Sequence, residues 1–120
     1  MTGVYFGKGS EADSSSNQFS YVINFDLRSR GEGVFDGTGV FTAQTARANT
    51  ERFQIKLAVN ASGAIIKATA SSLTGVGGGI SGTGTFDERN GTITLSYSCD
   101  SPEVCAGSFT VTRGSVVSEN

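Results

Sequence analysis

The chain has 120 residues, a length that fits one domain and leaves no room for a second core. Its net charge of −2 and isoelectric point near 5.0 provide no basic field for a phosphate backbone, which argues against nucleic-acid binding. No stretch approaches the roughly 18 apolar residues that a membrane-spanning helix needs, so we expect no membrane span.

The sequence lacks both histidine and tryptophan. Histidine is the usual general base, the usual activator of a serine or cysteine nucleophile and the commonest metal ligand. A Ser-His-Asp or Cys-His site is therefore impossible within one chain. We predict no catalytic residues, no metal site and no cofactor, although an enzyme that works by cavity shape with hydroxyls or carboxylates stays an alternative.

Apolar and polar residues alternate with a period of two, which is typical of half-buried β-strands. Turn residues separate the alternating runs at 30–33, 60–63 and 87–91, and the last of these ends in the strong turn signal Asn-Gly. In chain order we predict eight strands, at 3–9, 18–27, 32–43, 51–60, 63–72, 78–87, 91–99 and 105–113.

The short connections favour a meander in which each strand is antiparallel to the next. Eight such strands either close into a small barrel or fold into a two-sheet sandwich. The alternation is clean and no strand is apolar on both faces, which favours the barrel. We therefore predict one all-β domain over residues 1–120, an eight-stranded antiparallel barrel, with 113–120 as a flexible tail.

Two segments, 33–41 and 78–86, repeat one pattern in which two glycines lie between large residues on the same strand face. The glycines are Gly37 and Gly39 in the first copy, and Gly82 and Gly84 in the second. Glycine inside a strand lowers stability. The favoured reason for it is a bend, or an aromatic ring lying over the bare backbone. The alternative is a cavity that the missing side chains leave open for a ligand.

A ligand in such a cavity would contact the aromatic residues of the inward strand faces. The predicted ligand-binding residues are Tyr5, Tyr21, Phe35, Phe41, Phe53, Phe86 and Tyr97.

Cys99 and Cys105 both fall on inward positions, on either side of a turn-like stretch. Their spacing is not that of a redox motif, and a metal site needs more ligands than two. We predict a structural disulfide. The disulfide, together with a composition rich in Gly, Ser and Thr and poor in Lys, favours an extracytoplasmic domain: periplasmic, cell-surface or secreted. No signal peptide is evident at the start of the chain, and a cytoplasmic or virion protein is the alternative.

Four carboxylates are candidates for an acid–base pair. Asp26 and Asp36 have outward phase and Asp87 and Glu88 lie in a turn, so solvated surface is the favoured interpretation. The segment 11–17 is predicted to be a loop, because it lacks the regular carboxylate spacing of a calcium site.

One long polar connection, 42–50, follows the third predicted strand. It would form a rim over an open barrel end, with Arg47 and Arg52 as contacts for an anion, or else be ordinary surface.

The run at 80–87, followed by the run at 91–97, resembles hairpins in the mature domains of bacterial cell-surface lipoproteins. Some of those domains have lipocalin-like or other calycin-like barrels. The resemblance implies an extracytoplasmic binding or structural role, and it carries over no catalytic residue.

The favoured hypothesis is a non-catalytic barrel that binds a small apolar or amphipathic molecule. The first alternative is a structural or surface-interaction domain with a packed interior. The second is a cavity-type barrel enzyme, such as a cyclase or an isomerase. An internal cavity would separate the binding and enzyme hypotheses from the structural one, and a polar residue pointing into that cavity would favour the enzyme. The sequence does not determine the oligomeric state.

Overall fold

The computed structural model describes residues 1–13, 17–44, 49–73, 79–100 and 104–114. Eight antiparallel strands pair in chain order, and the last pairs with the first, so that the sheet closes into a barrel. This confirms the predicted eight-stranded antiparallel barrel. The strands are β1 (Gly3–Asp13), β2 (Gln18–Gly31), β3 (Val34–Ala43), β4 (Asn49–Val59), β5 (Ala64–Ser72), β6 (Gly79–Asp87), β7 (Thr92–Cys99) and β8 (Cys105–Arg113).

The largest differences from the predicted boundaries are in β1, which continues to Asp13 rather than ending at residue 9, and in β2, which continues to Gly31 rather than ending at residue 27. Glu11 lies opposite Phe19 of β2 and Gly107 of β8. Because both neighbouring strands pair with this polar segment, its backbone groups are satisfied without apolar side chains. The segment predicted to be a loop is therefore strand up to Asp13.

The structure describes the first two residues of the predicted tail. Arg113 is the last residue of β8, and the backbone N–H of Gly114 donates a hydrogen bond of 2.7 Å to the carbonyl of Val4. The rest of the predicted tail, 115–120, lies outside the described residues. In the described part of the chain, no helix is long and apolar enough to cross a membrane.

The paired glycines lie where a neighbouring strand approaches closely. A Cβ atom on Gly82 would overlap the carbonyl oxygen of Ser96 and lie 2.8 Å from the Cα of Tyr97. A Cβ on Gly37 would overlap the carbonyl of Asp26 in the same way. Backbone atoms cannot move aside as a flexible side chain can, so these positions need glycine. These contacts favour the structural interpretation of the glycine pairs over a cavity that the missing side chains leave open.

The connections divide the barrel into two ends. The turn end carries the short connections 32–33, 60–63 and 88–91. The loop end carries the longer connections 14–17, 44–48, 73–78 and 100–104, parts of which lie outside the described residues.

The short turns are held by their own polar side chains. In one, Asn60 Oδ1 accepts hydrogen bonds of 3.0 Å from the backbone N–H groups of Ser62 and Ala64. In another, Asp87 Oδ1 accepts a hydrogen bond of 3.0 Å from the N–H of Arg89. These Asx-type bonds are the local reason why the chain reverses there.

Most of the fully buried core lies toward the turn end. There Tyr5 stacks on Phe25 with ring centroids 5.7 Å apart, and its hydroxyl donates a 2.7 Å hydrogen bond to the carbonyl of Met1. The largest fully buried side chains are Tyr5, Phe25, Leu27, Leu57, Ile65, Ile93, Leu95 and Val111.

Candidate functional site

The loop end of the barrel contains a cavity of about 210 Å³. All eight strands contribute at least one residue to its wall, because it lies on the barrel axis where inward side chains converge. Its apolar surface comes from five aromatic residues, Tyr21, Phe41, Phe53, Tyr97 and Phe109, together with Ile23, Ile55, Ala70 and Ile80. Its polar groups include Glu11, Glu51 and Ser72.

Four of the seven predicted ligand-binding residues line this cavity: Tyr21, Phe41, Phe53 and Tyr97. The other three, Tyr5, Phe35 and Phe86, are not among its described lining residues. Tyr5 is fully buried in the turn-end core, and Phe35 and Phe86 pack half-buried against that core. A period of two specifies which face of a strand a residue occupies, but not its height along the barrel axis.

A chain of hydrogen bonds joins three residues that line the cavity. The hydroxyl of Tyr97 donates to Glu11 Oε1 at 2.8 Å, and the hydroxyls of Tyr21 and Tyr97 lie 2.8 Å apart. A phenol has one proton, so Tyr97, which gives its proton to Glu11, accepts from Tyr21. The chain therefore runs from Tyr21 through Tyr97 to the carboxylate.

Burial raises the pKa of both phenols. Desolvation is the largest cause for Tyr21, and it raises the pKa to about 12 from the ordinary value of 10.0, with a further increase from the charge of Glu11. The pKa of Tyr97 is raised further, by desolvation first and then by its bonds to Tyr21 and Glu11. Both groups therefore stay protonated at neutral pH and act as hydrogen-bond donors.

Two glycines allow the tyrosine rings to lie in this position. A Cβ on Gly9 would lie 2.5 Å from the ring carbon Cζ of Tyr21, its register partner on β2. A Cβ on Gly107 would lie 2.5 Å from the hydroxyl oxygen of Tyr97, its partner on β7. Each ring thus covers bare backbone of the adjacent strand, and the two hydroxyls can meet.

Two carboxylates of the cavity were missed by the reasoning from sequence. Glu11 falls in the segment predicted to be a loop, although it continues the inward phase of Tyr5, Gly7 and Gly9. Glu51 has the same phase as Phe53 and lies opposite Phe41. Its Oε1 accepts a hydrogen bond of 3.4 Å from the hydroxyl of Ser72. Strand phase was the signal that could have identified both residues.

Cys99 and Cys105 form a disulfide with their Cα atoms 5.0 Å apart, which confirms the predicted pairing. Cys99 also lines the cavity. The Glu11 carboxylate lies within 4.8 Å of both sulfur atoms. Because the sulfurs are bonded to each other, this group is a carboxylate beside a disulfide and not a set of thiolate ligands.

The arginines considered as anion contacts do not contribute to the described wall of the cavity. Arg52 is exposed and has outward phase, between the inward residues Glu51 and Phe53. Arg47 lies outside the described residues. After the predicted rim, the residue that lines the described cavity is thus Glu51. An arginine was the expected contact there.

The carboxylates assigned to the surface have structural partners. Asp26 Oδ1 accepts a 2.9 Å hydrogen bond from the N–H of Thr38, and Asp36 pairs with Arg30 at 2.7 Å. Asp26 and Asp36 border a second pocket of about 680 Å³, which shares Ile55, Ala70 and Ile80 with the wall of the loop-end cavity. Asp87 holds its turn as described above, and Glu88 is exposed in the same turn.

No protein-family model matches the chain, and no curated protein sequence matches it. Solved structures of designed barrels are similar in fold. A redesigned β-barrel, mFAP1, bound to DFHBI, is 12% identical with a TM-score of 0.66, over 93% of this chain and 94% of that one. EF1p2_mFAP2b, also bound to DFHBI, is 10% identical with a TM-score of 0.69, over 94% and 93%. A fluorescence-activating β-barrel designed de novo is 12% identical with a TM-score of 0.61, over 95% and 94%.

Proposed function

We propose that this protein binds a small apolar or amphipathic molecule in the loop-end cavity. The observation that carries the proposal is the cavity itself, which has an aromatic and aliphatic wall and a few polar groups. Ligand sites in proteins have this composition, with apolar walls for affinity and a few polar groups for orientation. An interior that served only as structural packing would be filled at this level as it is at the turn end.

The cavity volume limits the size of the ligand. Pockets for drug-sized ligands have volumes of roughly 300–1,000 Å³, whereas a dry cavity of roughly 150 Å³ holds benzene. A cavity of about 210 Å³ therefore suits a molecule with about one or two rings.

The solved structures of similar fold support the proposal. Two of these designed barrels were determined with DFHBI bound, so a barrel of this size accommodates a small molecule. At 10–12% identity their residues do not transfer to this chain, and the support is limited to the architecture.

Titration with a neutral fluorescent probe, 1-naphthylmethanol, tests the proposal. We expect saturable binding with a change in probe fluorescence. In Ala70→Leu the new side chain would fill the cavity, and we expect binding to weaken by about tenfold or more. Ala106→Leu makes the same substitution at an exposed position of β8 and should bind like the wild type. Equal binding by all three proteins would refute binding in the cavity.

The hydrogen bond from Tyr97 to Glu11 favours a second candidate function, a cavity-type enzyme. A carboxylate that lines an apolar cavity is positioned to accept a proton from a bound molecule, and the hydrogen bond from Tyr97 orients that carboxylate. Mass spectrometry of a ligand recovered after incubation would detect conversion. If the protein is an enzyme, Glu11→Gln should lose turnover while retaining binding. If the recovered ligand is chemically unchanged, the result favours a binding protein over an enzyme.

We also propose an extracytoplasmic location. The disulfide supports it, because such bonds persist in oxidising compartments and are rare in the cytosol. The solved structures of similar fold are designed barrels and add nothing to this point. Fractionation of the source cells, with alkylation of free thiols, should find the protein oxidised and outside the cytoplasm.

A further inference from the structure

We infer that Asn60, in the turn between β4 and β5, is an acceptor site for N-linked glycosylation from a lipid-linked oligosaccharide, and that Asn90 is a much poorer one. The run 60–62 is Asn-Ala-Ser, which matches the acceptor sequence Asn-X-Ser/Thr with X other than proline. The run 90–92, Asn-Gly-Thr, matches it equally well in the turn between β6 and β7. The inference rests on the proposed extracytoplasmic location, since glycans of this kind belong to secreted proteins.

The turn at 60–63 holds the side-chain oxygen of Asn60 and leaves its side-chain nitrogen exposed. Asn60 Oδ1 accepts hydrogen bonds from the Ser62 hydroxyl at 2.7 Å and from the backbone N–H groups of Ser62 and Ala64 at 3.0 Å each. Because backbone N–H groups only donate, these bonds fix which end of the amide is the oxygen. Asn60 and Ser62 are both exposed, and within the described residues Asn60 Nδ2 donates no hydrogen bond. The nitrogen that a glycan would occupy is therefore accessible.

The hydrogen bonds at Asn60 Oδ1 also suit the chemistry of the transfer. An amide nitrogen is a weak nucleophile, because its lone pair is delocalised toward the carbonyl oxygen. When Nδ2 loses one proton to a base of the transferase, negative charge develops on Oδ1, where the Ser62 hydroxyl and the two N–H groups stabilise it. Nδ2 then forms a bond to the anomeric carbon of the oligosaccharide. The bond from that carbon to the pyrophosphate of the lipid carrier breaks, and the electron pair leaves on the pyrophosphate oxygen.

The second sequence match is held in a different arrangement. Asn90 Nδ2 donates a hydrogen bond of 2.8 Å to Asp87 Oδ2, so the nitrogen that would carry the glycan is engaged. The Thr92 hydroxyl donates to the backbone carbonyl of Asn90 at 3.5 Å, where Ser62 donates to the side-chain oxygen of Asn60. Asn90 therefore lacks both features that favour transfer to Asn60.

These arrangements are local in the chain. The bonds to Asn60 Oδ1 span two and four residues, and the bond from Asn90 to Asp87 spans three. Each can form within a single hairpin, before the eight strands close into the barrel. The difference between the two sites therefore applies to a chain that is still folding as it enters a secretory compartment.

Secretion of the full chain from insect cells, directed by a cleavable leader, tests the inference. We expect the intact mass to include one oligosaccharide, and peptide mapping to find several-fold higher occupancy at Asn60 than at Asn90. Ser62→Ala removes the hydroxyl and keeps the backbone donors, and it should abolish the glycan at Asn60. Ser62→Thr keeps a hydroxyl and should retain the glycan.

A second pair of variants tests the reason for the difference between the sites. Asp87→Ala removes the acceptor of the Asn90 side chain and should raise occupancy at Asn90 several-fold. Glu88→Ala is the matched control, because it removes an exposed carboxylate from the same turn, and it should leave Asn90 at its low occupancy.

A wild-type mass without any oligosaccharide, or equal occupancy at the two sites, would overturn the inference. The leader makes this result independent of the native location, which fractionation of the source cells tests. Ligand binding is also separate, because Asn60 lies at the turn end and the cavity at the loop end. Ser62→Ala should therefore bind 1-naphthylmethanol like the wild type. An unmodified protein that binds this probe overturns the glycosylation inference alone, and a glycosylated protein that does not bind it overturns the cavity function alone.

Discussion

The two ends of the barrel are built from the same alternating strands but have different interiors. At the turn end, Tyr5, Phe25, Ile93 and their neighbours fill the axis and are almost completely buried. At the loop end, acidic and hydroxyl side chains share the inward positions with aromatic rings, and a cavity remains. The tightly packed core and the cavity thus lie at different heights along one barrel axis, so substitutions at the two ends should have different consequences.

Truncating the same side chain at each end is expected to give the largest contrast. Ile93→Ala removes a fully buried side chain at the turn end and should lower the free energy of unfolding by roughly 2–5 kcal/mol. Ile80→Ala enlarges a cavity that is already present and should cost about 1 kcal/mol or less, since its side chain is only half buried. Urea unfolding of both variants measures the difference. Equal losses would show that the loop end is packed as tightly as the turn end.

The paired glycines provide the next contrast, between two interpretations of these positions. Either a neighbouring strand approaches the glycines too closely for a side chain, or the missing side chains leave an open cavity. Gly82→Val would push a side chain into the backbone of Ser96 and Tyr97, and should cost roughly 1–3 kcal/mol or more. Gly37→Val should behave alike, because Asp26 approaches it in the same way. Thr83→Val, at an exposed position of the same strand, is the control and should change stability by less than about 0.5 kcal/mol. Unchanged urea midpoints in both glycine variants would favour the cavity interpretation of these residues.

The disulfide stabilises the loop end, where the packing is weaker. It closes a short loop, with a sequence separation of 6. Because the bond reduces the chain entropy of the unfolded state, it should raise the free energy of unfolding by about 2 kcal/mol. The double variant Cys99→Ser, Cys105→Ser should lose this amount in urea unfolding. Reductant should lower the stability of the wild type to a similar level and leave the double variant unaffected. Detection of two free thiols in the unreduced, unfolded wild type would contradict the bridge.

The buried phenols of the loop end make the stability of the protein sensitive to alkaline pH. An unfolded tyrosine ionises near its ordinary value of 10.0, whereas burial raises the pKa of Tyr21 in the folded protein to about 12. Between these values the folded state retains a proton that the unfolded state releases. The contribution of Tyr21 to stability is therefore complete below pH 10 and declines as pH rises toward 12. Other groups titrate in this range as well.

Comparing wild type with Tyr21→Phe separates the hydrogen-bonded pair of phenols from these other groups, because the substitution also removes the bond that helps to raise the pKa of Tyr97. The variant should show a shallower loss of stability above pH 10 in urea unfolding followed across the pH range. Parallel curves for the two proteins would mean that Tyr21 is solvated in the folded state.

The sequence predicted only part of the cavity wall, and individual residues show why. Phe41 and Phe86 have the same inward phase, yet Phe41 lines the cavity and Phe86 packs against the core. The polar neighbours of Glu11 predict a loop, yet pairing with both β2 and β8 keeps this residue in a strand. Phase along a strand is local information, whereas height along the barrel depends on how eight strands are staggered.

From the sequence alone follow the all-β class, the eight strands in order, the inward faces and the proximity of Cys99 to Cys105. Side-chain alternation and turn chemistry act between near neighbours in the chain, so they are evident without a structure. Only the tertiary structure decided that the sheet closes with β8 on β1, that Tyr21 meets Tyr97 across the barrel, and that two carboxylates face one cavity. Those contacts join residues far apart in the chain, and their geometry is specified by barrel closure and stagger, which no local pattern encodes.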